Sequence, residues 1–332
     1  MQVRDKPIST MPESAPHPLI ARFAGDLARI WPEGEKLGLA VSGGPDSLAL
    51  LLLAEAVLPG KVEVATVDHR LRAESASEAA MVAELCSGHG IPHEILPVQV
   101  PRGNLQDMAR MARYRALAAW AKRRGLSAIA TAHHADDQAE TLVMRLNRAS
   151  GIAGLAGVRA RTNVPGGDLT LLRPLLGWRR AELAELVKAA GLDAVQDPSN
   201  RDLRFDRVKI REALKDCNWL DVRALAMSAS HLADAEGVMI WATQREWNEG
   251  VKVSEDAIRY RPKAPRAIRM RIVGRAIALL GGVPRGGDVA KLINRLQAGR
   301  DGTLAGVVAR SAPDGEWTFR KEAPRRGGTN NM

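Results

Sequence analysis

The stretch Leu37-Gly-Leu-Ala-Val-Ser-Gly-Gly-Pro-Asp-Ser-Leu48, "LGLAVSGGPDSL", decides the fold. An apolar run stops at Ser42, a polar glycine-rich segment follows, and a second apolar run begins at Leu48. A buried strand feeding a helix explains the two runs. Gly43 and Gly44 let the backbone approach a ligand without a Cβ and adopt positive φ. Successive N–H groups there, with a helix N-terminus behind them, make a concave anion site. Ser42 and Ser47 add hydroxyl donors for phosphate oxygens. Asp46 would be repelled by a phosphate unless a divalent cation bridges them, so its presence predicts Mg2+. A plain turn, with Ser or Asp capping the helix, is the simpler reading, but it needs fewer of these groups. No lysine lies in the loop, and neither G-x-x-x-x-G-K-[ST] nor G-x-G-x-x-G matches it.

Outward from this loop, strands and helices alternate. Periodicity predicts helices at about 19–31, 46–58, 74–89, 104–124 and 136–148, with strands at 36–41, 61–68, 93–100 and 126–132. This is the signature of repeated βαβ units: an α/β fold with a doubly wound parallel sheet. Polar clusters at 42–47, 68–72 and 132–137 all fall at strand carboxyl ends, where such sheets bind ligands. Further on, helices are expected at 178–190, 221–240, 264–280 and 287–298, and two strands in "TLAGVVA" and "EWTFRK". The predicted organisation is a mobile leader (1–18), a catalytic domain (19–217), a smaller, mostly helical basic C-terminal domain (218–323) and a disordered tail (324–332).

Composition limits the function classes. With 332 residues, 45% hydrophobic and 26% charged, the chain reads as globular, and no apolar run approaches the roughly 18 residues of a membrane span. The polar, proline-rich start is not a secretory signal, so a cytoplasmic location without membrane contact is expected. Two isolated cysteines, Cys86 and Cys217, exclude a disulfide framework or a cysteine-based zinc site. Net charge is +10, and residues 261–332 carry all of it, with 15 Lys/Arg against 5 Asp/Glu. A neutral N-terminal part joined to a basic C-terminal part suggests catalysis in one and polyanion binding in the other; a solvated basic surface is the alternative.

The string S-G-G-x-D-S after a strand resembles the PP-loop of the N-type ATP pyrophosphatases, whose fold is of the adenine-nucleotide alpha hydrolase type. "VDHRLR" (67–72), "ARMARYRAL" (109–117), "TAHHADDQAETLVMRLNRASGIAGLAG" (131–157) and "RPLL" (173–176) recur in the same order in the tRNA(Ile)-lysidine synthetases. That resemblance covers residues 36–211. It implies a two-step ligation. ATP adenylates C2–O of the wobble cytidine in a CAU-anticodon tRNA(Ile), then free L-lysine displaces AMP to give lysidine, changing codon reading from AUG to AUA. It leaves a dimer open.

By this resemblance Ser42, Gly43, Gly44, Pro45, Asp46 and Ser47 hold ATP, with Asp46 and Asp137 assigned to Mg2+ and catalysis and Asp136 able to share that role. Helix capping is the plainer reading of these aspartates. Asp68, His69, His133, His134 and Arg113 are further ATP contacts, and Glu140 a partner for the lysine ammonium. Arg110, Arg207 and Arg211 are assigned to tRNA, although a solvated basic face would use the same residues. Trp178, Trp219 and Trp247 are expected in the core or in domain contacts. The chain departs from the family's R-G-S-G at Ala149, and from its R-N-x-x-R at Val208. A PP-loop tRNA thiolase with an external sulfur donor and a non-catalytic RNA-binding relative are the competing readings. The tRNA thiolases rely on catalytic cysteines, which this chain's motifs lack.

Overall fold

A computed structural model describes residues 18–69, 75–99, 105–195 and 204–323. The expected leader (but for Pro18), the expected tail, and Arg70 to Arg72 of the second polar cluster lie outside them. The chain divides into two compact units, Met1–Ala233 and Asp234–Met332.

The first unit holds α1 (Pro18–Ile30), β1 (Leu37–Ala40), α2 (Pro45–Val57), β2 (Val62–Asp68), α3 (Ser75–Gly88), β3 (His93–Pro97), α4 (Leu105–Arg124), β4 (Ala128–Ala130) and α5 (Ala135–Leu146). Then come α6 (Ile152–Leu155), β5 (Arg161–Asn163), β6 (Thr170–Leu172), α7 (Arg180–Ala189), α8 (Asp206–Asp216) and the start of α9 (Val222–Gly250). The sheet order is β3-β2-β1-β4-β6-β5, parallel except for β5 at one edge. Chain direction across the sheet reverses between β1 and β4, which places the topological switch point beside the glycine loop. Register levels the strand ends: Leu39 pairs Ala130, and Ala130 pairs Leu172. Ser42, His133 and Arg173 therefore leave the same edge of the sheet.

Packing follows from the sequence. In α2 the buried residues Leu48, Ala49, Leu50, Leu51, Leu53 and Ala54 cover all sides of the helix. Such a helix needs cover on more than one face, and it packs against α1 and α7 as well as the sheet. Trp120, 1% exposed, lies on β1 because Gly38 has no side chain; a Cβ there would come within 2.8 Å of the indole. Burying side chains of this size contributes about 1.5–3 kcal/mol each.

The second unit begins inside α9, at Asp234. It adds β7 (Val251–Val253), β8 (Ile258–Tyr260), α10 (Arg266–Leu279), α11 (Gly286–Gln297), β9 (Gly302–Leu304), β10 (Val307–Ser311) and β11 (Trp317–Lys321). Five antiparallel strands in the order β7-β8-β11-β10-β9 give it more sheet than expected. "TLAGVVA" is a hairpin and not one strand, because Ala305 and Gly306 both take positive φ, 51° and 75°. Val289, Leu292, Ile293 and Leu296, at helical spacing on α11, are buried with Ile272, Ile277 and Phe319. Trp178 and Trp247 are buried as expected, but Trp219 is 79% exposed, since it falls in the short α8–α9 connection and on no packed face.

Candidate active site

The glycine loop is built to leave donors free. Gly43 has φ 83° and Gly44 is the N-cap of α2, with no side chain capping the helix. Pro45 takes the first turn, where a missing N–H costs nothing. Ser47 Oγ donates to Gly44 O (2.9 Å) and accepts from Ser42 N (3.1 Å), fixing the loop from within. Val195 N donates to Gly43 O (3.0 Å) from across the loop. Asp46 is thus not a cap, and its Oδ1 is buried without a hydrogen-bond partner among the described residues.

Beside the loop, α5 presents three carboxylates and each has a different setting. His134 is its N-cap: His134 N donates to Asp137 Oδ2 (3.1 Å), and Asp137 N donates to His134 Nδ1 over a long 3.4 Å. His134 Nε2 lies 3.5 Å from Asp46 Oδ2 and 3.7 Å from Asp137 Oδ2, so one imidazole nitrogen faces both carboxylates assigned to metal. Asp136 Oδ2 lies 3.6 Å from His134 Nδ1, and the carboxylate is held by Arg179 (Nη2 to Oδ1, 3.1 Å) and by the Arg180 backbone N–H (2.8 Å), at the head of α7. Burial pushes its pKa up, but those two donors outweigh burial and leave it lowered. Glu140, 2% exposed, accepts from Arg207 Nε (2.6 Å) and Arg211 Nε (2.7 Å). Arg207 Nη2 also donates to Asp137 Oδ1 (2.7 Å). Arg207 and Arg211, assigned from sequence to tRNA, thus have intramolecular anions as partners. Asp137, and not Asp136, shares a partner with Glu140.

The other side of the site is cationic. Arg110 and Arg113 lie over the ring of Tyr114, 5.1 and 5.2 Å from its centroid. Arg173 is 4% exposed and donates through Nη1 to Arg159 O (2.6 Å). Among the described residues, no carboxylate pairs with Arg110, Arg113 or Arg173. His69 Nδ1, Arg113 Nε and Arg173 Nε are buried without a hydrogen-bond partner there, and Tyr114 Oη has the Arg173 guanidinium beside it. Buried polar atoms in such number, next to unpaired guanidiniums, mark a place prepared for an anion. Burial raises the Tyr114 phenol, yet the charges of Arg113, Arg110 and Arg173 leave it below its ordinary value. Arg173 and Tyr114 were not singled out from sequence. The signal was an arginine inside the apolar run "LLRPLL", where a charge is expensive unless partnered.

The adjacent histidines register this polarity. Burial, then Arg173, Arg113 and Arg110, hold His133 well below its usual pKa, so it is a neutral imidazole, 3.0 Å from Thr131 Oγ1. Burial also lowers His134, but the Asp46 hydrogen bond and the charges of Asp137, Asp46 and Asp136 raise it overall. His69 is lowered by burial and Arg113.

The fit to Mg2+ rests on Asp46. Among the described residues no three His, Cys, Asp or Glu side chains are grouped to hold a metal by themselves. A buried, unpartnered carboxylate oxygen beside a phosphate loop suits Mg2+, which keeps water and phosphate oxygens as most of its ligands. Cys86 is buried, its thiol pushed up to about 12 by burial and then by Glu55, which removes it as a nucleophile.

Residues 19–217 match the PP-loop domain family. The tRNA(Ile)-lysidine synthase of Novosphingobium aromaticivorans is 51% identical over 311 residues, 92% of this chain and 94% of that one. Its counterpart in Zymomonas mobilis is 41% identical over 303 residues, 89% and 91% of the two chains. Among solved structures, the U34-tRNA thiolase NcsA of Methanococcus maripaludis shares the fold, with a TM-score of 0.54 at 14% identity over 65% of this chain and 79% of that one.

Proposed function

The chain belongs to the tRNA(Ile)-lysidine synthase family of PP-loop proteins, carbon–nitrogen ligases that act on tRNA, and from that premise we propose how its site forms lysidine. ATP lies with its β- and γ-phosphates in the Ser42–Ser47 loop and its α-phosphate toward Arg113 and His133, with Asp68 and His69 toward the nucleoside. Asp46, with Asp137 nearby, would hold Mg2+, which supplies charge neutralisation at the phosphates. The O2 atom of the wobble cytidine of a CAU-anticodon tRNA(Ile) attacks the α-phosphorus. A P–O bond forms to the base as the bond to the β-phosphate oxygen breaks, and pyrophosphate leaves. Arg110, Arg113 and Arg173 stabilise charge on the transferring phosphoryl group. His133, being neutral, donates or accepts a hydrogen bond there without adding charge.

In the second step the ε-amine of free L-lysine attacks C2. A C–N bond forms, the C2–O bond breaks and AMP departs, while the amine's proton passes to a carboxylate of the α5 side. Glu140 and Asp137 are the carboxylates for the ammonium, with Arg207, 41% exposed, the partner that gives way to it. Asp136 positions α7 through Arg179. Arg110, with the basic second unit, receives the tRNA. No described helix is long and apolar enough to cross a membrane, and the proposed place of work is the cytoplasm.

The observation that carries this reading is the separation of charge within one site: phosphoryl transfer needs the guanidinium side, and amine attack needs the carboxylate side. Incubating the protein with ATP, Mg2+, radiolabelled lysine and CAU-anticodon tRNA(Ile) tests it. Lysine-dependent label in the tRNA together with AMP is expected; no label under conditions where ATP binds would overturn it.

A further inference from the structure

The chain has few aromatic side chains, seven Trp, two Tyr and three Phe, and nine of the twelve are buried. The exceptions are Phe205 (36% exposed), Trp219 (79%) and Trp241 (62%). Among the described residues, Trp241 is the one of these three with a guanidinium facing its ring. Arg245, one turn along α9, brings its guanidinium to 5.8 Å from the Trp241 ring centroid. Gln244, on the same stretch of helix, accepts a hydrogen bond from Arg275 of α10 (3.0 Å), and Arg275 itself covers the buried Trp247 at 4.1 Å. Trp241 thus stands 62% exposed on α9 one turn before Arg245, which also pairs with Glu249 (2.9 Å), and Arg275 reaches the same stretch of helix at Gln244. The unit is basic as a whole, with 18 Lys/Arg against 11 Asp/Glu from residue 234 onward, where residues 1–233 have 30 against 27.

An exposed indole is a sequence-tolerant platform for an unpaired nucleobase, because every base has a π-face, and arginines beside it meet the adjoining phosphates. A second copy of the chain is a poorer occupant: it would bring two units of like charge together, whereas RNA supplies the opposite charge. We propose that Trp241, with Arg245 and Arg275, stacks an unpaired base of the tRNA substrate and holds its flanking phosphates. This rests on the tRNA reading above and adds a contact outside the ATP site.

The test compares full-length wild type with Trp241→Ala, Trp241→Phe and Arg245→Gln/Arg275→Gln. Direct titration with tRNA(Ile), KM for tRNA, KM for ATP and the mass in solution are measured for each. Trp241→Ala is expected to weaken tRNA binding and raise its KM roughly 5- to 100-fold, with KM for ATP unchanged. Trp241→Phe should recover most of the affinity, because a ring is restored. The double arginine variant should bind tRNA with a shallower salt dependence. Wild-type tRNA affinity in Trp241→Ala overturns the platform, as does a loss of dimer mass with tRNA affinity unchanged, which would assign the surface to a second copy. Because the titration needs no turnover, it decides the platform even if wild type fails to label tRNA, an outcome that would instead remove the ligase reading.

Discussion

On the α5 side of the site nearly every charge has a partner: Asp136 with Arg179, Asp137 with Arg207, and Glu140 with Arg207 and Arg211. On the α4 side Arg110, Arg113 and Arg173 share no carboxylate among the described residues, and three side-chain nitrogens there are buried without a hydrogen bond. The first arrangement is stable by itself, whereas the second is completed only by a ligand. His133 and His134, one residue apart, show the consequence, since one is driven neutral and the other is drawn toward the imidazolium. Pairing thus separates what the fold supplies from what the substrate must bring.

The most severe break in this contrast is Asp46→Asn, which removes the one carboxylate that, among the described residues, has an unpartnered buried oxygen. Loss of about 10²- to 10³-fold in kcat/KM is expected from AMP release in the presence of tRNA, with the fold intact by circular dichroism. Arg173→Gln is next. If the guanidinium side awaits an anion, the variant should lower kcat/KM for ATP by roughly 10- to 100-fold while leaving thermal stability little changed or improved, since an unpaired buried charge is gone. A large loss of stability with normal ATP kinetics would make Arg173 a structural residue.

The histidines sharpen the contrast through pH. The folded pKa of His133 is depressed, so its contribution to stability is fully present above the unfolded value, near 6.5, and is lost as pH falls toward the folded one. His134, with a raised folded pKa, contributes below 6.5 and loses that contribution as pH rises through its folded pKa. Melting curves from pH 5 to 8 should therefore show His133→Asn flattening the acid-side loss and His134→Asn steepening it. Parallel curves for the two variants would remove the electrostatic distinction.

The smallest effect is expected at Ala149, in the turn after α5. Its φ of 50° is the left-handed region that glycine prefers. Relief of strain in Ala149→Gly, about 1 kcal/mol, is partly offset by the greater freedom of glycine in the unfolded chain. A rise in melting temperature of a few degrees at most should result, without change on the guanidinium side. A fall would show that the alanine methyl packs favourably there.

The strand–loop–helix at 37–57 and the α5 motif were legible because their chemistry is local: glycines at a turn, polar groups at strand ends, apolar residues at fixed spacing. The two partners of Asp136 were not, since Arg179 and Arg180 lie more than 40 residues away and only the packing of α7 brings them near. The same holds for Glu140, which in the sequence looks available for an ammonium and in the fold meets two guanidiniums of α8. Short strands such as β5 and β6 have too few residues for a period of two to register, and the hairpin at 302–311 was masked by small apolar residues in its turn. Tyr114 and Arg173 illustrate the remaining gap, because burial of a polar group is a property of the fold, and a motif match says nothing of it.

The pairing of Glu140 and Asp137 with Arg207 and Arg211 also bears on the order in which substrates arrive. With its carboxylates largely neutralised and three further arginines without a carboxylate among the described residues, the site presents net positive charge to a diffusing molecule. Nucleotide and RNA are drawn into such a field, and in the proposed reaction a lysine cation would be repelled until their phosphates have entered. Lysine should therefore bind measurably only after ATP and tRNA, giving ordered kinetics in which the amino acid comes last.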